Sequence, residues 1–218
     1  MRVFIWAIVL CCILAAEMVS ANPPPVYEGR RLYVSYCQLC HGVSGKGDGA
    51  LAKAMQITPA DLTTTVRSRS DTILRKIITG KGRQTITGRD RHNLLSDAMP
   101  EWKDVFNENQ LTALIAYLRF MGRAKYELTG DPKIGMQLYG QYCQVCHGVE
   151  GDGDGVMTQL MGIMPMDHTN PNETNALDNE QLSTSILDGK GRFMPAWRGI
   201  LSQSDVDALV SYIRLLAH

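Results

Sequence analysis

The pentapeptide CQLCH at residues 37–41 returns as CQVCH at residues 143–147. In a Cys-x-x-Cys-His motif each cysteine thiol can add across a vinyl group of haem, and the adjacent histidine is then placed beneath the porphyrin as the proximal iron ligand. Two copies predict two covalently attached c-type haems (haem c). The residues predicted to hold them are the thioether cysteines Cys37, Cys40, Cys143 and Cys146 and the iron ligands His41 and His147.

Two other uses of the Cys-x-x-Cys spacing compete with haem attachment. A redox dithiol needs no histidine after its second cysteine and normally lies in a βαβ unit, of which the sequence gives no sign. A zinc ion could take all four cysteines as thiolates, but both histidines and the matching flanks would then have no role. The duplicated histidine therefore favours haem.

The duplication extends well beyond the two pentapeptides. Gly-x-x-Leu-Tyr-x-x-Tyr precedes the motif at residues 29–36 and 135–142, and Gly-Val-x-Gly-x-Gly-Asp-Gly follows it at residues 42–49 and 148–155. The offset is 106 residues throughout. This is far longer than the roughly 20 to 50 residues of a solenoid repeat, so two copies of one domain are predicted.

The N-terminal residues have the pattern of an export signal. Arg2 gives a positive start, residues 3–16 are mostly large and apolar, and Val-Ser-Ala at 19–21 is a small-residue cleavage pattern. Because the apolar run is shorter than the ~20 residues that cross a bilayer, a cleaved signal is favoured over an uncleaved membrane anchor. A periplasmic location is predicted, with three segments: a signal peptide at 1–21, an N-terminal domain at 22–125 and a C-terminal domain at 126–218.

The cysteine count agrees with two haems. The sequence has six cysteines, and Cys11 and Cys12 lie inside the predicted signal. The remaining four are all needed for thioether bonds, so no disulfide is expected even in an oxidising compartment.

A methionine motif also occurs in both halves. Met-Pro-x-Trp begins at Met99 and at Met194, after the cysteine motif and before the last helical segment of each half. Proline keeps the preceding residue out of helical geometry, so an extended loop can present the thioether to iron. Met99 and Met194 are therefore predicted as the second axial ligands. The competing candidates are Met55 and His92 in the first half and Met164, Met166 and His168 in the second.

The apolar pattern of both halves is helical, and no strand-like alternation of useful length occurs. The last helix of the first half is predicted to begin at Asn107 or Asn109, and that of the second at Ser202 or Ser204. Their predicted buried faces carry Leu111, Leu114, Ile115 and Leu118, and Val206, Leu209, Val210 and Ile213.

With these motifs, the chain resembles the class I cytochrome c family, in particular two-domain dihaem members such as cytochrome c4 and the haem-bearing subunits of respiratory complexes. The resemblance covers nearly all of the predicted mature chain, through Gly-x-x-Leu-Tyr-x-x-Tyr-Cys-x-x-Cys-His-Gly, Met-Pro-x-Trp and a tyrosine-containing terminal helix. It implies an all-α fold of two tandem class I cytochrome c domains, each a few helices around one covalent haem with histidine and methionine as axial ligands. It also implies single-electron transfer between redox proteins or membrane respiratory complexes.

The alternatives are a dihaem oxidoreductase enzyme and a membrane-bound haem subunit of a respiratory complex. An enzyme needs an iron with an open or labile coordination position, whereas two Met-Pro loops predict two closed, six-coordinate irons and no catalytic residue. A nucleic-acid partner is not indicated, because the basic half has neither an arginine-rich helix nor a series of stacking aromatic residues.

The halves differ beside the methionine loop. Gly-Lys-Gly-Arg occurs in both halves. In the second half Phe193 and Met194 follow it directly, whereas in the first half 14 extra residues, 84–97, come before the Met99 loop. An exposed polar loop beside a haem edge could contact a partner. A surface insertion without a role explains it equally well.

The halves also differ in charge. Residues 22–125 carry 16 Lys and Arg against 9 Asp and Glu, a net charge of +7, whereas residues 126–218 carry 5 against 12, a net charge of −7. Opposite fields would direct the two halves to different partners. Solvated charge that only aids solubility is the alternative.

Intact-mass spectrometry tests the cofactor count. The purified exported protein is expected to weigh as much as residues 22–218 plus two haems, because all four remaining thiols add to haem vinyl groups. A pyridine adduct of the denatured protein gives the haem stoichiometry independently. A mass that includes zinc, or only one haem, would contradict the prediction.

Overall fold

The computed structural model describes residues 23–80 and 98–217. These residues form twelve α-helices, six in each half and in the same order. The first half has α1 Pro25–Tyr36, α2 Gln38–His41, α3 Ala50–Met55, α4 Leu62–Thr65, α5 Asp71–Thr79 and α6 Glu108–Arg123. The second half has α7 Pro132–Tyr142, α8 Gln144–His147, α9 Val156–Met161, α10 Pro171–Thr174, α11 Asn179–Asp188 and α12 Gln203–Leu216.

The all-α prediction is confirmed. In the described ranges the extended pairing consists of two isolated bridges, Lys190 with Met194 and Arg198 with Leu201, and no strand forms. The predicted signal peptide and the insertion at 84–97, with His92 inside it, lie outside the described residues.

Each half is built on the packing of its first long helix against its last. α1 packs mainly on α6, and α7 packs mainly on α12. The helices cross at glycines that the duplication places in register: a Cβ added to Gly29 would lie 1.9 Å from the carbonyl oxygen of Ala113, and one added to Gly135 would lie 2.0 Å from that of Ala208. Backbones approach this closely only where one of them has no side chain.

The last helices begin where the sequence predicts. Asn107 accepts a hydrogen bond from the Gln110 backbone N–H, and the Gln110 side chain accepts one from the Asn107 N–H, which is a capping box at the start of α6. Ser202 and Asp205 form the equivalent box at α12. The first of the two start residues proposed for each helix is therefore the cap.

The predicted apolar faces of α6 and α12 form the two hydrophobic cores. All eight predicted residues are buried, and each set belongs to one contiguous cluster. The other members of the first cluster are Val26, Leu32, Tyr33, Val66, Leu74, Ile78, Phe106, Tyr117, Phe120, Met121 and Leu215. The other members of the second are Tyr139, Leu182, Ile186, Leu201, Tyr212 and Leu216.

A buried arginine ties α12 to the loop before α11. Arg214 is 1% exposed. Its guanidinium donates to the carbonyl oxygens of Thr174 at 2.6 Å and Leu177 at 2.7 Å, and to Oδ1 of Asn179 at 3.0 Å. These bonds satisfy carbonyls that the short helix α10 and its following turn leave unpaired within the backbone.

Arg119 holds the equivalent loop of the first half. It donates to the carbonyl oxygens of Val66 and Arg69 and to Oδ1 of Asp71, the first residue of α5. The sequence motifs do not reveal either arginine, because most of their partners are main-chain atoms, about 40 to 50 residues away.

Side chains of the second half contact the first half and the segment that connects the two. Leu215 of α12 belongs to the core cluster of the first half. The connecting segment after α6 lies on the second half, where the Gly130 N–H donates to Oγ of Ser211 at 2.8 Å and the Arg214 guanidinium lies 4.3 Å from the ring centroid of Tyr126.

Replacement of one helix-crossing glycine tests this architecture. Gly135→Ala is expected to destabilise the protein by about 1–3 kcal/mol, because the added methyl meets backbone atoms that cannot rotate away. Gly140→Ala is the control in the same helix, where the nearest atom is Oε1 of Gln144 at 3.8 Å. This change is expected to be neutral or stabilising by up to ~1 kcal/mol. Thermal unfolding of both holoproteins measures the difference, and equal melting temperatures would contradict the close crossing.

Candidate haem-binding sites

The Cys-x-x-Cys-His residues of each half lie on one helical turn. Cys37 ends α1, and its carbonyl oxygen accepts hydrogen bonds from the N–H groups of Cys40 at 3.1 Å and His41 at 2.8 Å. Cys143 repeats the pattern with Cys146 at 3.1 Å and His147 at 2.9 Å. Residues three and four apart share one helix face, so both thiols and the imidazole are displayed together.

Both short helices end directly at the histidine. Gly42 and Gly148 each have φ near +81°, which is the left-handed region that glycine adopts without strain. The chain then turns back, and the histidine carbonyl accepts a hydrogen bond at 2.8 Å from the N–H of Gly47 in the first half and Gly153 in the second. Both motif histidines are therefore the last residues of short helices.

The motif histidines are in the state that an iron ligand requires. Nδ1 of His41 lies 3.3 Å from the carbonyl oxygen of Ala60, and Nδ1 of His147 lies 3.2 Å from that of Met166. A carbonyl only accepts, so each Nδ1 donates and each Nε2 keeps its lone pair. Burial lowers the pKa of both imidazoles, which keeps them neutral. The hydrogen bond to the carbonyl oxygen also restrains the plane of each imidazole ring.

The first cysteine of each motif, Cys37 or Cys143, packs against the hydrophobic core of its half. Burial raises the pKa of the Cys37 and Cys143 thiols to about 12, so both are protonated at neutral pH. No disulfide joins any of the four described cysteines.

Large apolar side chains around the motifs are exposed. In the first half they include Leu39, Val43, Leu51, Met55 and Val105, and in the second Val145, Val149, Val156, Leu160, Met161 and Ile200. Most lie in the motif itself or in the short helix that follows it, α3 or α9. A soluble domain rarely exposes so many apolar residues in one segment without a ligand or partner to cover them. A flat apolar macrocycle attached to the adjacent cysteines fits this surface.

The Met-Pro-x-Trp loops are fastened beside the motif helices. Trp102 packs edge-on against Tyr36, with 5.6 Å between ring centroids, and Trp197 packs against Tyr142 at 5.0 Å. The backbone N–H of each tryptophan also donates to a carbonyl oxygen of the helix before the loop, Trp102 to that of Ile78 at 3.1 Å and Trp197 to that of Ile186 at 3.2 Å. Each Met-Pro-x-Trp loop is thus held next to the last turn of α1 or α7, where the cysteine motif begins.

Met99 and Met194, the predicted ligands, are both half-buried in these loops. Met194 packs against the second core, and its backbone pairs with that of Lys190. Two competing methionines are more exposed, Met55 at 54% and Met164 at 96%.

The two remaining competitors in the second half, Met166 and His168, both contact His147. The Met166 carbonyl accepts the His147 hydrogen bond. The His168 ring stacks on the His147 ring, with 4.3 Å between centroids and 14° between planes. Burial lowers the pKa of His168 to about 3. In the sequence, this contact is marked by a difference between the two repeats at this position. The residue 106 positions before His168 is Leu62.

The helical fold and the duplicated Cys/Cys/His turn are those of c-type cytochromes. The family model of cytochrome c oxidase, cbb3-type, subunit III matches residues 24–118 and 130–213. The chain belongs to this family of cytochromes c. The expected resemblance to dihaem class I cytochromes c is confirmed.

Curated relatives agree with the family. The chain is 25% identical over 196 residues to the cbb3-type cytochrome c oxidase subunit CcoP of Azospirillum brasilense, covering 86% of this chain and 61% of the relative. It is 24% identical over 208 residues to subunit FixP of Azorhizobium caulinodans, covering 87% and 59%. The chain therefore spans about three fifths of the length of these relatives.

Among solved structures, a chain of the Kuenenia stuttgartiensis reducing HAO-like protein complex is similar to 90% of this chain and to 100% of its own length. The identity is 24% and the TM-score is 0.36. None of the helices formed by residues 23–80 and 98–217 has both the length and the apolar composition needed to cross a bilayer.

Proposed function

We propose that this chain is an exported dihaem c-type cytochrome that transfers single electrons between respiratory redox partners. The observation that carries the proposal is the repeated turn of two cysteines and one neutral histidine, in a chain of the cbb3-type subunit III family. When bound, haem supplies a one-electron iron couple. The protein's part is to attach, orient and shield it.

The residues of each half have separate roles. Cys37 and Cys40 in the first half, and Cys143 and Cys146 in the second, tether the haem as thioethers. His41 and His147 supply Nε2 as the proximal ligand, and their Nδ1 hydrogen bonds hold the ring plane.

Met99 and Met194 would each supply a thioether sulfur to the iron as its second protein ligand. A thioether is a soft ligand that favours the reduced iron and so raises the reduction potential. Fastening the loop through Trp102 and Trp197 limits ligand movement between oxidation states, which suits a carrier more than an enzyme. A dihaem oxidoreductase is the alternative function, and it requires that one of these methionines does not bind iron.

The proposed partners are redox proteins or a membrane respiratory complex that accept or donate electrons. The relatives' names support association with a membrane oxidase, since both are subunits of a cbb3-type cytochrome c oxidase. A periplasmic location and a division into domains at 22–125 and 126–218 are part of the same proposal.

Methionine substitution tests the ligand assignment. Met99→Ala and Met194→Ala are each expected to remove about half of the weak near-infrared sulfur-to-iron band of the oxidised protein, because each changes one of two haems. Each is also expected to lower one of the two reduction potentials. Met55→Ala and Met164→Ala are the controls, and both should leave the band and potentials unchanged. A variant of Met99 or Met194 with an unaltered spectrum would remove that methionine from the ligand set.

Salt dependence tests whether the charge difference directs docking. Electron-transfer rates with a small acidic and a small basic redox protein are both expected to fall as salt rises, because the fields that steer association are screened over ~8 Å at physiological ionic strength. Replacing Arg89 and Arg91 with glutamine should slow only the reaction with the acidic partner. The control replaces Lys190 and Arg192 of the acidic half. If the rates do not change with salt, or if the Arg89 and Arg91 variant is slowed equally with both partners, the charges are solvated and do not direct docking.

A further inference from the structure

The two halves place different side chains behind their proximal histidines on the same backbone. Leu62 and His168 each follow the motif histidine by 21 residues. The Leu62 N–H donates to the carbonyl oxygen of Gly45 at 2.7 Å, and the His168 N–H donates to that of Gly151 at 2.7 Å. The scaffold is therefore equivalent at this point, and the side chain is what changes.

The histidine is held in place from several sides. Its ring is 7% exposed, and Nδ1 lies 3.0 Å from the hydroxyl oxygen of Tyr139, itself 1% exposed. Its carbonyl oxygen accepts a hydrogen bond from Oγ1 of the buried Thr174 at 3.1 Å. In the first half the corresponding hydroxyl, that of Tyr33, donates to the carbonyl oxygen of Gly42 at 2.6 Å instead.

The ring stack brings an aromatic face against the ligand imidazole. The rings of His147 and His168 are nearly parallel, 14° apart. An aromatic ring has a negative face, which attracts neighbouring positive charge. A proximal imidazole shares the extra positive charge of oxidised iron, so a polarisable aromatic neighbour stabilises the oxidised state more than an alkyl side chain does. Leucine also makes the surroundings of the ligand less polar, which disfavours the more highly charged state.

We propose that His168, held by Tyr139, is a positioning residue that adds to the Met166 hydrogen bond in restraining the ring plane of His147 and lowers the reduction potential of the second haem, whereas Leu62 leaves the first haem without this effect. The inference rests on the proposed function, because it requires haem bound at both histidines. It gives the two copies of one domain a built-in difference in potential, which favours electron flow from the second haem to the first.

Reciprocal substitutions test the inference. His168→Leu is expected to raise one of the two potentials and leave the other unchanged. A shift that changes the reduced-to-oxidised ratio of that haem roughly threefold to tenfold corresponds to about 28 to 59 mV for a one-electron couple. Leu62→His is expected to lower the other potential. Spectroelectrochemical titration of the purified dihaem proteins measures both.

A second measurement separates positioning from a loss of packing. The proton NMR shifts of the haem methyl groups in the oxidised protein depend on the plane of the axial imidazole. His168→Leu is expected to alter the methyl pattern of one haem. Tyr139→Phe removes only the hydroxyl, and it is expected to shift the same methyl resonances and the same potential, by a smaller amount, because the stack remains.

The outcomes distinguish failure of the inference from failure of the proposed function. A wild-type protein without two covalent haems would refute the proposed function. With both haems bound, unchanged potentials and methyl shifts in His168→Leu would overturn the role of His168. If His168→Leu loses its second haem, Leu62→His decides: a lowered potential supports the inference, and unchanged potentials overturn it.

Discussion

The close crossing of the first and last long helices is the constraint on which each half depends. At Gly29 and Gly135 the backbones approach so closely that a single methyl group would collide with a main-chain oxygen. This contact fixes where the C-terminal ends of α1 and α7 lie. The cysteine motif begins at the next residue of the chain. The position of the thiols and the proximal histidine is thus a consequence of how two helices pack about two turns earlier.

The opposite side of each site depends on the same helices. Tyr36 and Tyr142, in the last turn before the motif, receive the tryptophans of the Met-Pro-x-Trp loops. One short stretch of helix therefore positions both the cysteines proposed to attach the macrocycle and the loop proposed to complete its coordination. A fold made of short helices and turns can hold such a site because each loop is fastened at a specific side chain.

Local sequence signals predicted much of this arrangement. The starts of α6 and α12 at Asn107 and Ser202 follow from side chains that cap their own backbone, and the buried faces follow from helical periodicity. The arginine contacts and the His168 stack were not predicted, because they join residues far apart in the chain and leave no local pattern. Aligning the two repeats position by position does show that Leu62 in the first half is replaced by His168 in the second.

The shared side chains at the junction bear on how the molecule unfolds. Leu215, at the end of α12, completes the core of the first half, and Arg214 beside it holds both the second half and the connecting segment at Tyr126. Melting of α12 would therefore expose apolar surface in both halves together. Although the sequence is a tandem repeat, we expect its two halves to unfold in one cooperative event.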